Sequence, residues 1–300
     1  MRGAEFSFSD LHLLAGGRPG VRDVACPACG PDRNTSTNRV RRVLRVWLVD
    51  DRFATFNCAR CGMKGETHAE HRGRPVYDRK AVQQVRDVSA VSDRVEAASR
   101  LEVAQALWRR RQPAPGTIVE NYLRRARGYR GSIPDTLAFL PPRGDHPPAM
   151  ISAFGLPEEP EPGRIALRKE EVRGVHITRL AADGSAKVGD PSKIIIGRCL
   201  GAPIVLSALN DNFGLAITEG IEDGLSIFES TGLGVWAAGA AGRMPALAQS
   251  VPQYVDAVSI IADADEAGQR GARELGSLLH RRGLQVGIVG LNDRPRSIAA

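Results

Sequence analysis

Hydrophobic and polar positions along this chain follow two different periods, and the switch between them marks out its parts. From Val40 to Phe56 β-branched and aromatic residues alternate with polar ones, which predicts two or three short strands in a compact all-β module over 21–72. A polar, charged passage from Gly73 to Asp93, with Pro75 inside it, predicts a linker. Between Val95 and Arg111 the apolar residues Leu101, Ala104 and Leu107 share one helical face, and Pro113 and Pro115 end that helix. Thr117 followed by Glu120 predicts a capping box and a second helix through Tyr122 and Leu123 to Gly128. The proline-rich stretch from Ile133 to Gly163 reads as loop, and Ile165 to Leu206 as short alternating strands separated by turns such as AADGSA and LGAP.

After Asn212 the pattern changes to apolar runs alternating with helical periods: LAIT, a helix from Glu222 to Thr231, a strand at Val235, a helix near Met244, VSIIA, a helix from Glu266 to Arg281, and VGIVG. That rhythm predicts a parallel sheet flanked by helices on both faces. The chain thus divides into 1–72, a linker and helical connector over 73–131, a β-rich basic subdomain over 132–211, and an α/β domain over 212–300.

Composition adds the class of partner. With 300 residues, 42% of them hydrophobic, the chain has room for two or three modules and one sizeable core. Its formal charge of +7 is carried largely by arginine, whose planar fork of donors suits phosphate and points to a polyanion. No apolar segment follows Met1 and no run approaches the ~18 apolar residues of a membrane span, so the expectation is a cytoplasmic protein with no membrane partner.

Four of the five cysteines form two C-x2-C pairs, Cys26/Cys29 and Cys58/Cys61, with 28 residues between the pairs and a glycine directly after each, Gly30 and Gly62. Two tight turns offering four thiolates can close a tetrahedral shell on Zn2+, with backbone amides facing the sulfurs. His68 and His71 are surplus to that shell and read as solvated residues; Cys199 reads as a small apolar residue. Between the pairs Arg39, Arg41, Arg42, Arg45 and Arg52 are interleaved with Trp47, Phe53 and Phe56. Arginine for phosphate beside aromatic faces for unpaired bases makes a single-strand platform, for which Arg39, Arg41, Arg45 and Trp47 are the candidates; Phe53 and Phe56 serve equally as ribbon core.

The second chemistry is acidic. LAITEG sets Glu219 at the C-terminal end of a buried strand, the edge where open α/β sheets place ligands, with Gly220 allowing close approach. Glu222 and Asp223 open the next helix; Glu222 reads as a dipole partner and Asp223 as a member of the site. SIIADADEAG ends a second strand in D-x-D, and alternation sends Asp263 and Asp265 to one side, where with Glu219 they can hold Mg2+. The glycine-rich AAGAAGR over 237–243 reads as tight packing in preference to a phosphate cradle, and His176 as structural.

ITEGIEDGLS and IIADADEAGQRGA resemble the two Toprim motifs shared by bacterial primases, type IA and II topoisomerases and some nucleases. CPACG and CARCG resemble the zinc-binding domain at the front of primases, and GTIVENYLRRARG resembles their connecting region. From Ala25 to Val289 the order is closest to zinc-ribbon plus Toprim primases of the phage and plasmid type. The resemblance implies an α/β Toprim domain behind a zinc ribbon, with Glu219 as catalytic acid/base, and Asp263 and Asp265 joined by Asp223 as ligands of Mg2+ or Mn2+. It implies a single-stranded DNA template and ribonucleoside triphosphate substrates, with Arg179, Lys187 and Lys193 on the basic wall of the template groove. No GxxxxGK[ST] loop is present, so a separate replicative helicase is the implied partner. Relatives carry a further acidic stretch past the last strand, for which Asn292 and Asp293 are the remnant. The rival readings are a non-catalytic DNA-binding or loading protein on the same folds and a Toprim nuclease.

Overall fold

The computed structural model describes residues 6–31, 36–69 and 79–290 and separates the chain into two compact units, Met1–Glu96 and Ala97–Ala300. His71, Gly73, Pro75, Asn292 and Asp293 lie outside the described residues. Among the described residues no helix is long and apolar enough to cross a membrane.

The first unit opens with α1 (Phe8–Leu14), started by a capping box in which Ser7 Oγ accepts from the Asp10 amide at 3.2 Å and the Ser7 amide donates to Asp10 at 2.9 Å. Then come β1 (Gly20–Ala25), the short α2 (Ser36–Arg39), β2 (Arg42–Leu48), β3 (Phe53–Cys58) and β4 (Lys64–His68), all antiparallel in the order β1-β2-β3-β4. Alternation along β2 buries Leu44, Val46 and Leu48 together with Phe56, and α1 adds Phe8 and Leu11 to the same core. α1 lies ahead of the stretch 21–72 expected as all-β, yet supplies part of its hydrophobic contact; among the described residues of that stretch the short α2 is the departure from β.

α3 (Arg79–Arg109) begins in the first unit and ends in the second, so most of the expected linker is helix. Polarity suggested loop there, yet residues 79–109 contain neither glycine nor proline, and a helix needs only that its breakers be absent and that packing reward one face. Near its end Ala104 and Trp108 are buried.

In the second unit β5 (Gln112–Pro113) leads to α4 (Ile118–Asn121), which continues as a π turn over Tyr122–Ala126. Thr117 caps α4, but Glu120 reaches the amide of Gly116 at 2.8 Å, so the predicted capping box closes one residue early. β6 (Leu137–Leu140), β7 (Ala149–Phe154), the hairpin β8 (Glu158–Glu161) and β9 (Arg164–Ala166), β10 (Gly174–Arg179) and β11 (Lys193–Gly197) follow. A five-stranded antiparallel sheet forms in the order β11-β10-β7-β6-β5. The stretch expected as loop thus holds β6 and the wholly buried, central β7, while Pro141, Pro147 and Pro148 sit in the connection between them.

The last sheet runs β12-β14-β13-β15-β16, made of β12 (Ile204–Ser207), β13 (Gly214–Thr218), β14 (Gly234–Ala237), β15 (Ala257–Ile261) and β16 (Gln285–Val289). Three of its four pairings are parallel, as expected; β12 is antiparallel to β14 and precedes the predicted boundary at 211/212. α5 (Ile221–Thr231) and α6 (Glu266–Arg281) are the flanking helices, and the helix expected near Met244 is a pair of 3-10 turns, Ala241–Arg243 and Pro245–Gln249. Alternation along β13 splits its side chains between two cores. Leu215 and Ile217 join Trp236, Ile260 and Leu275; Ala216 joins Val235, Leu225, Tyr122 and Phe154. Each buried Leu, Ile or Phe side chain in these clusters contributes about 1.5–3 kcal/mol.

Candidate metal centres

The Sγ atoms of Cys26, Cys29, Cys58 and Cys61 all lie within 4.8 Å of one another, three of the residues buried and Cys61 exposed. Cys29 and Cys58 sulfurs are 3.8 Å apart, which is about the edge of a tetrahedron whose centre sits 2.3 Å from each corner, the Zn–S distance. Each pair is a tight turn: the Gly30 amide donates to Cys26 carbonyl at 2.8 Å and the Gly62 amide to Cys58 carbonyl at 3.0 Å. Gly62 has φ 73°, and a Cβ on Gly30 would lie 2.7 Å from that Cys26 oxygen, so both positions require glycine. Burial, followed by the neighbouring sulfurs, pushes the Cys29 thiol up to about 12. Burial also raises Cys58, but amides of Cys61 and Arg60 aimed at its sulfur more than offset this and lower it. Backbone donors to sulfur together with mutual repulsion in a buried cluster are the conditions a soft divalent cation relieves, and the donor set fits Zn2+. His68 is not simply solvated: its ring packs 4.7 Å from that of Phe53.

The acidic residues gather at the C-terminal edge of the parallel strands. Glu219 directly follows β13, its carbonyl accepting from the Gly239 amide at 2.9 Å. Burial, then the charges of Asp263 and Asp265, hold its carboxyl above the usual range, and the Ala241 amide partly offsets them. Its Oε2 is buried with no hydrogen-bond partner. Asp263 is raised in the same way by burial, Asp223 and Asp265, with Lys193 opposing. Four carboxyl groups thus share one field, at the place where the sequence puts them. They do not close on a point: among the described residues the cysteines are the one group of three or more ligands drawn within 4.8 Å.

Three details differ from expectation. β15 ends at Ile261, so Asp263 and Asp265 are not on an extended strand; Asp265 is the N-cap of α6 and accepts from the Gly268 amide at 2.7 Å. Gln269, which sequence reasoning passed over, is buried and donates to the carbonyls of Asp263 and Gly290, both at 2.8 Å, tying the acidic turn to the end of β16. Its signal was an amide on the helix face otherwise made by Ala272, Leu275 and Leu279. Glu222 is more than a dipole partner: Lys187 Nζ lies 2.5 Å and the Tyr122 hydroxyl donates at 2.8 Å to its Oε1, and Arg127 Nε donates to that hydroxyl at 2.8 Å. Burial would raise the Glu222 carboxyl, but Lys187 and Tyr122 carry it down to about 2.

The predicted nucleic-acid contacts differ in their surroundings. Arg45 is engaged, bidentate to Asp23 at 2.8 Å and paired with Asp93 at 2.5 Å. Lys187 is engaged with Glu222, so neither is a free phosphate contact as the structure stands. Arg179 donates to the Pro191 carbonyl at 3.2 Å. Arg39 and Arg41 are exposed on the ribbon. Trp47 is half-buried on β2 and lines a concavity of about 700 Å3 with Asn57, Lys64 and Glu66. Lys193 is exposed at the start of β11, and its charge opposes the rise in the Glu219 and Asp263 pKa values. The 237–243 stretch serves packing: Gly239 has φ 80°, a Cβ there would lie 2.8 Å from Phe154, and Arg243 stacks 4.7 Å above the Phe154 ring. His176 is buried beside Thr178, and burial, helped by Lys193, lowers it to about 4.

Residues 214–295 match the Toprim domain family, and residues 98–206 match a family described as Domain of unknown function (DUF7146). No curated protein sequence matches the chain. Among solved structures it is similar to the zinc-binding and RNA polymerase domains of the Aquifex aeolicus primase, at 14% identity and a TM-score of 0.35, covering 94% of this chain and 77% of that one. It is also similar to the primase fragment of the bacteriophage T7 primase-helicase protein, at 12% identity and a TM-score of 0.35, covering 90% of each chain. The fold is a Toprim α/β domain preceded by a β-rich subdomain and a four-cysteine module.

Proposed function

We propose that this chain is a DNA primase, a DNA-directed RNA polymerase that starts short RNA primers on single-stranded DNA. The observation that carries the reading is that Glu219, Asp223, Asp263 and Asp265 share one electrostatic field at one edge of a Toprim sheet, opposed by the charge of Lys193, in a chain that also bears a four-cysteine cluster. In this reading Asp223, Asp263 and Asp265 hold Mg2+ or Mn2+, and the cysteines hold a structural Zn2+. A divalent ion held there would supply Lewis acidity, lowering the pKa of the primer 3′-hydroxyl and offsetting charge on the departing pyrophosphate. Glu219, whose carboxylate burial and then the neighbouring charges make more basic, accepts the proton that the hydroxyl loses as its oxygen bonds to the α-phosphorus and the bond to pyrophosphate breaks. Lys193 faces incoming phosphate, and Arg39, Arg41 and Trp47 face the template. A separate replicative helicase delivers that template in the cytoplasm.

The test is synthesis on single-stranded DNA with labelled ribonucleotides and Mg2+ or Mn2+. Short RNA ladders are expected. DNA binding without any RNA product under either metal would replace this reading with a loading protein, and cleavage of the DNA with a nuclease.

A further inference from the structure

Glu222 sits between two members of the acidic site along the chain, three residues after Glu219 and one before Asp223, yet its carboxylate is turned to other work. Its Oε1 takes both Lys187 Nζ, at 2.5 Å, and the Tyr122 hydroxyl, at 2.8 Å. Arg127 extends the chain of contacts, donating to the same hydroxyl at 2.8 Å with its guanidinium 5.2 Å above the Tyr122 ring. The Glu222 and Lys187 side chains are only 14% and 20% exposed, so water does little to screen the pair. Around them the positive charge is concentrated: the charges of Lys193 and Arg127 act on Lys187, and that of Lys193 also acts on Glu219 and Asp263. Glu222 and Asp223 are close neighbours in space as well, since a Cβ on Gly220 would lie 2.6 Å from Asp223 Oδ2 and 3.9 Å from Glu222 Oε2.

A half-buried lysine whose carboxylate partner lies beside Asp223 has a choice of anions. If it paired with the site acids it would occupy, as a monovalent cation, the place a divalent ion needs. We propose that Glu222 is a positioning residue that captures Lys187, with the Tyr122 hydroxyl fixing the carboxylate's orientation, and so keeps the lysine off Asp223 and its partners and leaves the site anionic. The inference rests on the reading of those carboxylates as a divalent-cation site. It assigns the Lys187–Glu222 pair a different job from stability: the pair sets the affinity of its neighbour for metal.

Mn2+ binding to the full chain, followed by electron paramagnetic resonance of the free ion, tests this without reference to catalysis. Loss of Mn2+ binding in the double variant Asp263→Asn, Asp265→Asn is the control on the metal site; if wild type binds no Mn2+, or this variant binds as wild type does, the metal reading itself falls. Given that control, Glu222→Gln frees Lys187 and should weaken Mn2+ binding about tenfold, the usual scale for a residue supporting metal ligands. Adding Lys187→Met to Glu222→Gln should restore binding to near the wild-type value. Lys187→Met alone, which removes the competing cation, should bind Mn2+ at least as tightly as wild type, and it serves where Glu222→Gln does not fold. A purely structural pair predicts the reverse order, with no rescue in the double variant. Unchanged binding in Glu222→Gln, a double variant no better than the single one, or weakened binding in Lys187→Met would each overturn the proposal.

Discussion

The cysteine cluster and the acidic edge are both built from residues of the first turns after strands, yet their geometries are opposite. Four sulfurs are drawn within 4.8 Å of one another, with Cys29 and Cys58 already 3.8 Å apart, and backbone amides aimed at sulfur. The carboxylates stand further apart, one of them with an oxygen buried and unpartnered, another spent partly on capping a helix. A closed shell of soft ligands leaves a metal nothing to do but hold the fold together, whereas an open set of hard ligands leaves positions for water and phosphate. On the proposed reading the second site does the chemistry and the first holds the fold.

The largest expected effect breaks the comparison at its structural end. A structural zinc site contributes on the order of 10 kcal/mol to the fold it organises. A strong chelator, or Cys26→Ser, should therefore unfold residues 6–69 while the second unit, which has its own cores, keeps its thermal transition. Two calorimetric transitions collapsing to one, with one zinc per chain lost, is the expected result; an unaltered first transition would remove zinc from the account. At the chemical end, Asp263→Asn with Asp265→Asn, or Glu219→Gln, should lower primer synthesis by about a hundredfold or more, since an isosteric amide keeps the shape but not the charge. The fold should persist in these variants, and DNA affinity should hold or rise as negative charge leaves a basic surface. A stability loss matching the activity loss would mean that the carboxylates are structural too.

How much of this was legible follows from the range of the interactions involved. The cysteine pairs and both acidic motifs are local: short spacings place ligands on one turn, and apolar runs such as VSIIA announce the strand that presents them. The order of strands and helices after Asn212 was legible for the same reason. α1 was missed because a seven-residue helix leans on one capping box and two buried residues, too little to show as a period. β7 was hidden among prolines that belong to the turn before it. The fates of Arg45 and Lys187 were beyond local reading, because their partners Asp23, Asp93 and Glu222 come from distant parts of the chain. Nothing in the sequence near an arginine says whether a carboxylate will fold against it.

Acid separates the two regions in a third way, with a smaller effect. His176 in the folded second unit has its pKa lowered from 6.5 to about 4, first by burial. Below pH 6.5 the unfolded chain takes up a proton that the folded one refuses, so this contribution is whole above pH 6.5 and is lost as pH falls toward 4. The loss from this residue is roughly 3 kcal/mol at most, at 1.36 kcal/mol per unit. His176→Gln should flatten the pH dependence of the second unit's stability over that window, read by denaturant unfolding at pH 7, 5.5 and 4.5. Equal slopes in wild type and variant would show that the ring is not carrying the effect.

The smallest effect decides which ribbon arginine meets nucleic acid. Arg41 is exposed just before the inner strand β2, while Arg45 is bidentate to Asp23 and also paired with Asp93. An arginine that neutralises a phosphate releases condensed counterion, so its removal lowers the slope of log affinity against log salt by about one. Arg41→Ala should show that change on single-stranded DNA and leave ribbon stability alone. Arg45→Ala should do the opposite: it leaves two carboxylates without their cation and costs about 1 kcal/mol of ribbon stability, a modest figure because all three side chains keep contact with water. Its salt slope should match wild type, since the two aspartates already occupy the guanidinium. If Arg45→Ala lowers the slope as Arg41→Ala does, then DNA displaces Asp23 and Asp93, and the ribbon rearranges its charges on binding.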